Sequence, residues 1–567
     1  MTNQHHDSVS ELRQKAEVHL RNQDLPAAQA AYETLCQRVP EDYDAWLGLG
    51  IVNASRGDYP AAEQAFQHAL SLQSDLPQAH FNLGRLAGLH EQWSEAEKHQ
   101  RAVLALQPGN LRVYLELGVS LEQQGKMLEA EKTYLQALNL DGSRAELHTA
   151  LSRVLREQGR LGEAAAPIER ALQLQPDFPL AQLEMGHLLR RQRKYEAALE
   201  HYQRFTQLAP QERLTFLANY GGVLAELERG EEALACYDEI VRLHPQSADA
   251  HLSRAQQLLV LGRFEEGWEE YEWRLRWPKW QQDNSAGYHT LQPLWQGEPL
   301  KDKRLLVYAE QGFGDAIQFS RYLPMLAEQG ATVRFHCHPP LCKLFAGFPG
   351  TEEVEARDVD KAAASGFDYC LPLMSLAHRF KTRGDNIPAD IPYLQADSER
   401  QSVWRERLSS DGFKVGLVWA GAGGNIKDRR RSLQLSDLAA LAQVQGVSWF
   451  SLQKGAPAQQ LAHNTTGLVI TDLGAEIENF ADTAAIITNL DLVITVDTSV
   501  AHLTGALGRP AWVFIYNGPY WRWQLGRDDS PWYPTLHLFR QSPAEAWPAV
   551  VERVASALGD KLAEQQS

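Results

Sequence analysis

Two rhythms of apolar and polar positions divide the chain. In the first half, small residues stand at Ala28, Ala62, Ala96, Ala130, Ala164 and Ala198, each 34 positions apart, then after a one-residue insertion at Ala233 and Gly267. Four positions after each come Tyr32, Phe66, Gln100, Tyr134, Ile168, Tyr202, Tyr237 and Tyr271. Pro40, Pro108, Gly142, Pro176, Pro210 and Pro245 close most units, and Trp46, Leu49-Gly50, Leu83-Gly84 and Leu117-Gly118 mark openings. The pattern predicts helix pairs in which a small residue lets the helices approach and an aromatic fills the gap beside it. No such unit buries its apolar face alone, so the units must stack. From Lys303 the rhythm changes, and short apolar runs at 304–309, 332–336, 367–371, 414–419, 447–452, 468–471, 492–496, 511–516 and 536–539 alternate with helical patterns. Strands separated by helices predict parallel sheets with right-handed crossovers. Two such sets are expected, divided near 395–412 by a polar helix.

Composition narrows the class. The 567 residues carry 72 acidic and 55 basic side chains, a net charge of -17, which argues against a general nucleic-acid binder. At about 150 residues per domain the length allows about three or four compact units. The start, Met1 to Asp7, has neither a basic nor an apolar signal region, and no apolar run is long enough to span a bilayer. Cys36, Cys236, Cys337, Cys342 and Cys370 are scattered and odd in number, and read as reduced thiols. A cytoplasmic, multidomain chain with no membrane span is expected.

Three strand ends carry the candidate chemistry, because ligands of parallel sheets collect outside the carboxyl ends of the strands. The run 492–496 reads as a strand buried on both faces; Asp497, Thr498 and Ser499 then offer helix-capping side chains, and a helix runs on to Gly508 and Pro510. Such a turn aims free N–H groups and a positive dipole end at one point, which suits a phosphate, with His502 one turn in. The alternative is a capped core helix with a surface histidine. The strand at 304–309 ends in Glu310-Gln311-Gly312-Phe313-Gly314-Asp315, where Asp315 either caps the next helix or accepts a proton from an incoming hydroxyl. The strand at 414–419 leads through Gly421, Gly423 and Gly424 to Lys427, Arg429, Arg430 and Arg431. A cationic run on a ligand edge, in an otherwise acidic chain, reads as a phosphate or diphosphate site in preference to solvated charge. It is too brief for a nucleic-acid track.

The repeats resemble the tetratricopeptide family over residues 9–276, in eight units. In O-GlcNAc transferases with such arrays, asparagines at one groove-facing position clamp peptide backbone. That register here holds Gly48, Asn82, Glu116, Ala150, Glu184, Asn219 and Ser253. With no asparagine ladder, a folded or helical partner surface is expected in the groove. The aromatic-rich end around Phe264, Trp268, Tyr271 and Trp273 predicts docking onto the second half of the chain, through an ordered connector over 277–302.

Residues 303–545 resemble a GT-B glycosyltransferase related to the lipopolysaccharide heptosyltransferases of family 9, in segments 312–315, 416–421, 429–432, 451–455, 480–483, 496–502, 521–523 and 528–534. The resemblance implies an α-helical solenoid followed by two Rossmann-like lobes. The acceptor-side lobe would span 303–395, the nucleotide-sugar lobe 412–545 and a C-terminal helix 546–567. It implies Asp315 as catalytic base, with Gln311, Gly312 and Gly314 in an acceptor-side loop. Asp497, Thr498, Ser499 (where that family carries glycine) and catalytic His502 would grip the donor diphosphate, with Gly421 and either Lys427 or Arg430 beside the leaving phosphate. Gln453, Lys454, Asp482, Thr483 and Trp521 would contact nucleotide or sugar.

The implied reaction is an inverting, metal-independent transfer from a nucleotide sugar to a hydroxyl, with no cofactor beyond the donor substrate. Some proteins of this build are similar to flagellin-modifying enzymes, so the expected acceptor is Ser or Thr of a protein, such as flagellin, recruited by the array. The alternatives are a lipopolysaccharide or polysaccharide precursor as acceptor, or an inactive scaffold that only binds nucleotide or a partner protein. No metal site is expected. Asp358-Val359-Asp360 sits away from the strand ends, and His336-Cys337-His338 with Cys342 matches no zinc spacing.

Overall fold

The computed structural model describes residues 8–282, 288, 293–358, 360, 366–410, 412–421, 430–518, 520–542 and 545–566. The chain forms two compact units, divided in sequence at Phe216 and Leu217. The repeat pattern runs through that division, so the last repeats group with the two-sheet half.

In the first unit, helices alternate in pairs from Val9–Arg21 and Leu25–Arg38 to Pro179–Arg191 and Tyr195–Leu208. Ser8, Asp24, Asp42, Asp58 and Asn110 each accept a backbone N–H at a helix start, which satisfies donors the helix cannot. The periodic Ala28, Ala62, Ala96, Ala130, Ala164 and Ala198 are all fully buried. Gly118 shows why the period holds: a Cβ there would lie 2.1 Å from Tyr134 Cε1. Tyr134 fits only because the facing helix lacks a side chain, and its hydroxyl donates to Glu122 at 2.6 Å. In the groove register, Asn82 donates to Gln78 O of its own helix, and buried Glu184 pairs with Arg156 at 2.7 Å. Their polar groups are engaged by the array itself. Two recesses of about 330 and 300 Å³ share Leu115 and Val119 as lining.

The second unit begins with the remaining repeat helices, through Gly230–Leu243, Ala248–Val260 and Phe264–Tyr271. Two parallel sheets come next. The first contains β1 (Arg304–Tyr308), β2 (Thr332–Cys337), β3 (Glu353–Ala356) and β4 (Tyr369–Pro372), in the order β3-β2-β1-β4. The second contains β5 (Phe413–Val418), β6 (Val447–Ser451), β7 (Ile470–Asp472), β8 (Leu492–Val496), β9 (Ala511–Ile515) and β10 (Leu536–Arg540), in the order β10-β9-β8-β5-β6-β7. Helix Ser398–Arg407 lies between the sheets in sequence, and Trp547–Gln566 is the last helix. The apolar pattern misses β3, an edge strand whose Glu353 and Glu355 give it no continuous apolar run. One hydrophobic cluster joins Leu259, Phe264 and Trp268 to Leu305, Phe319, Ala501 and Trp521. The last repeat therefore shares a core with both sheets.

Candidate active site

Each sheet has one place where the strand order reverses. β1 is flanked by β2 and β4, and β5 by β6 and β8. A crevice opens at the carboxyl ends of such strands, where ligands of open parallel sheets bind. The turn Gln311–Asp315 comes after β1, Gly421 after β5, and Asp497–Ser499 after β8. All three candidate segments thus lie at a switch point.

After β1, Gln311 takes a left-handed φ of 58° and its amide donates to Tyr271 Oη at 2.8 Å. Gly312 precedes helix Phe313–Phe319, and Asp315 Oδ2 accepts its N–H at 2.9 Å. Asp315 therefore does cap the helix. Its Oδ1 is simultaneously paired with Arg522 of the second sheet's half, whose Nε donates to Gln318 at 3.1 Å. Gly314 packs directly on His502: a Cβ there would sit 2.7 Å from His502 Cδ2. The residues expected to face each other across a cleft are in touch.

Helix Ser499–Ala506 is capped by Thr498, whose hydroxyl accepts the Val500 N–H at 3.3 Å. His502 on this helix is buried, which corrects the surface histidine of the simpler reading. Its Nδ1 lies 3.1 Å from Tyr533 Oη, and its ring stacks on Trp523 at 5.4 Å. Burial first, then the charges of Arg522, Arg321 and Arg431, hold its pKa well below the usual range. At neutral pH it is an uncharged hydrogen-bonding group. When Tyr533 donates to Nδ1, the proton of the ring sits on Nε2. Asp497 is buried, its Oδ2 has no hydrogen bond among the described residues, and Arg431 Nη1 is 3.8 Å away. Burial raises the Asp497 pKa, against the pull of Arg431 and Arg522.

The other expected site residues separate into three groups. Lys427 lies outside the described residues. Arg430 donates to Glu226 of a repeat helix at 3.0 Å, and the Gly421 N–H to Ser432 Oγ at 3.0 Å. Gln453, Lys454, Asp482 and Thr483, expected to touch nucleotide or sugar, are engaged locally. Gln453 accepts from Trp419 N and Ala420 N, and Lys454 donates to Gly474 O and Ile477 O. Asp482 pairs with Arg400 and caps helix Phe480–Thr488, while Thr483 donates to Asn479 O. Trp521 is buried against Trp268 of the last repeat, their rings perpendicular at 5.1 Å.

Four residues at the centre of this arrangement are not among the expected site residues: Arg321, Tyr393, Arg522 and Tyr533. Tyr393 donates to Ile317 O at 2.9 Å and stands 3.5 Å from Tyr533 Oη, with Arg321 3.2 Å away. Arg522 and Tyr533 fall inside the family-like segments 521–523 and 528–534, whereas Arg321 and Tyr393 lie outside every such segment and every strand-end motif.

The tetratricopeptide repeat family matches residues 13–80, 81–146, 149–213 and 221–272, so the first half carries tetratricopeptide repeats. The protein FlbA of Caulobacter vibrioides is similar, 28% identical over 372 residues that cover 60% of this chain and 61% of that protein. The chain thus spans about three fifths of the length of that relative. Among solved structures, pilF of Pseudomonas aeruginosa is 26% identical, covering 37% of this chain and 94% of that one, with a TM-score of 0.32. A tetratricopeptide repeat protein of Parabacteroides merdae is 13% identical, covering 44% and 98%, with a TM-score of 0.39.

Proposed function

We propose that the chain is a GT-B glycosyltransferase that moves a sugar from a nucleotide-sugar donor to Ser or Thr of a protein recruited by the repeat array. The observation that carries this reading is the meeting of both switch points, Gly314 of the acidic turn against His502 of the phosphate-type helix start. The FlbA likeness is consistent with it. It covers more of the chain than the whole repeat region, so it reaches into the two-sheet half.

In this mechanism the donor diphosphate lies at the N-terminus of Ser499–Ala506, within reach of Arg431. Asp315 takes the proton of the acceptor hydroxyl as its oxygen attacks the anomeric carbon from the face opposite the leaving group. The bond from that carbon to the phosphate oxygen breaks, and negative charge grows on the phosphate. Arginines, backbone N–H groups and a neutral His502 Nε2–H stabilise that charge electrostatically. The array's recesses around Leu115 and Val119 are suited to an apolar face of a folded acceptor.

The test is a panel of CMP-, UDP-, GDP- and ADP-linked donors, scored for binding, hydrolysis and transfer. Mass spectrometry of candidate acceptor proteins from cells lacking the chain then locates the modification. One donor should bind and turn over. Failure of every donor to bind would sink the proposal. A scaffold is the second reading, favoured by the occupation of both Asp315 oxygens. It predicts binding of one nucleotide with neither transfer nor hydrolysis.

A further inference from the structure

We infer that Arg522 is a donor-phosphate ligand held in reserve, which exchanges the Asp315 carboxylate for the donor's diphosphate and in doing so frees Asp315 to act as base. This exchange rests on the proposed transferase reading and removes a conflict within it.

As it stands Asp315 is a poor base: one oxygen accepts the Gly312 N–H and the other holds the Arg522 guanidinium, a cation that favours the ionised carboxylate over the protonated one. The Gly312 bond is part of the helix cap and can persist through catalysis. The guanidinium cannot stay: a carboxylate that must gain a proton is opposed by a cation bonded to it. On the other side of the cleft the two arginines nearest the proposed diphosphate are each engaged by an acid, Arg522 by Asp315 and Arg431 by Asp497, which weakens their pull on an anion. Moving one bond resolves both problems, because it gives the phosphate a cation released from its carboxylate and takes the opposing charge away from Asp315.

Arg522 is built for such a move. Its guanidinium lies 4.2 Å from the Trp521 ring centroid and 5.8 Å from that of Tyr520, so stacking holds the side chain without using its N–H groups. Its Nε donates to Gln318, so only the Nη2 contact is made to Asp315 and only that bond has to be exchanged. Arg522 also bears electrostatically on Asp497 and His502, both on the proposed diphosphate side. The exchange imposes an order, with the donor arming the base before the acceptor reacts. Without donor, Asp315 stays masked.

The experiment uses the full-length protein and inorganic pyrophosphate as probe, titrated by calorimetry. Asp315→Asn removes the competing carboxylate, so it should bind pyrophosphate about tenfold more tightly than wild type. Arg522→Met should bind about tenfold more weakly, and Arg522→Lys should recover part of the loss. In the double variant Asp315→Asn/Arg522→Met the gain from Asp315→Asn should vanish. Each variant is first checked for a wild-type thermal midpoint; if Arg522→Met is unfolded, Arg522→Lys and Asp315→Asn carry the test. Equal affinity of wild type and Asp315→Asn would overturn the exchange while leaving the transferase reading intact. No pyrophosphate binding by any form would overturn the exchange together with the anion site; the nucleotide-sugar panel then judges the transferase reading separately.

Discussion

The last repeat meets β1 through Arg274, and the halves carrying the two sheets meet through Arg522. Both arginines lie over aromatic rings, Arg274 over Tyr271 and Trp280, Arg522 over Trp521 and Tyr520. Both pair with acids just after β1, Glu310 and Asp315. The seam at Arg274 is closed. Glu310 accepts from Arg274 Nε at 2.9 Å, Arg274 Nη2 at 2.7 Å, Trp280 Nε1 at 2.9 Å and Met374 N at 3.1 Å. Neither side chain is more than 1% exposed. The cleft at Arg522 is incompletely paired, with Asp497 buried 3.8 Å from its arginine and His502 kept neutral. Identical chemistry serves structure where every lone pair is filled, and marks a candidate site where burial and charge are left in conflict.

Breaking the closed seam should have the largest effect. Arg274→Met leaves Glu310 buried without its cation, and we expect a loss of about 3–5 kcal/mol in denaturant unfolding. An unchanged midpoint would remove the distinction between seam and cleft. In the cleft, Asp315→Asn should lower transfer by about 100- to 10,000-fold while the thermal midpoint stays close to wild type. Parallel loss of stability and activity would mean that the aspartate is only a helix cap. Gly314→Ala forces a methyl group against His502 and should cost about 1–3 kcal/mol. His502→Ala should relieve that strain, which a double-mutant cycle reads as coupling between the halves.

The smallest effect is a pH slope. His502 has a folded pKa below its unfolded one, so below about pH 6.5 the unfolded chain binds a proton that the folded chain refuses. Stability from this residue is complete above that pH and declines on acidification. Melting wild type and His502→Gln at pH 7 and pH 5 should show the shallower decline in the variant.

The apolar pattern placed much of this architecture. Repeats were legible because every unit buries a small residue, such as Ala62 or Ala130, against its own neighbour, a local constraint restated about every 34 residues. Strands were legible wherever both faces are buried, as in β8, and illegible at the charged edge strand β3. For the candidate site, the strand-end segments at Asp315 and Asp497 could be read, since capping residues and glycines come directly after strands in sequence. Gln453 and Asp482 also stand out by motif, but their hydrogen bonds hold loops and a helix cap together.

By itself, then, the sequence determined the repeat period, the parallel-strand pattern and the strand ends where anionic and hydroxyl chemistry could be handled. Those features are local, set by spacing along one element. Only the tertiary structure decided that Arg522 reaches Asp315, 207 positions away, that Tyr533 holds His502, and that Glu226 of a repeat holds Arg430. Charge pairing across such separations depends on which elements share a core, and no periodicity in a chain records that.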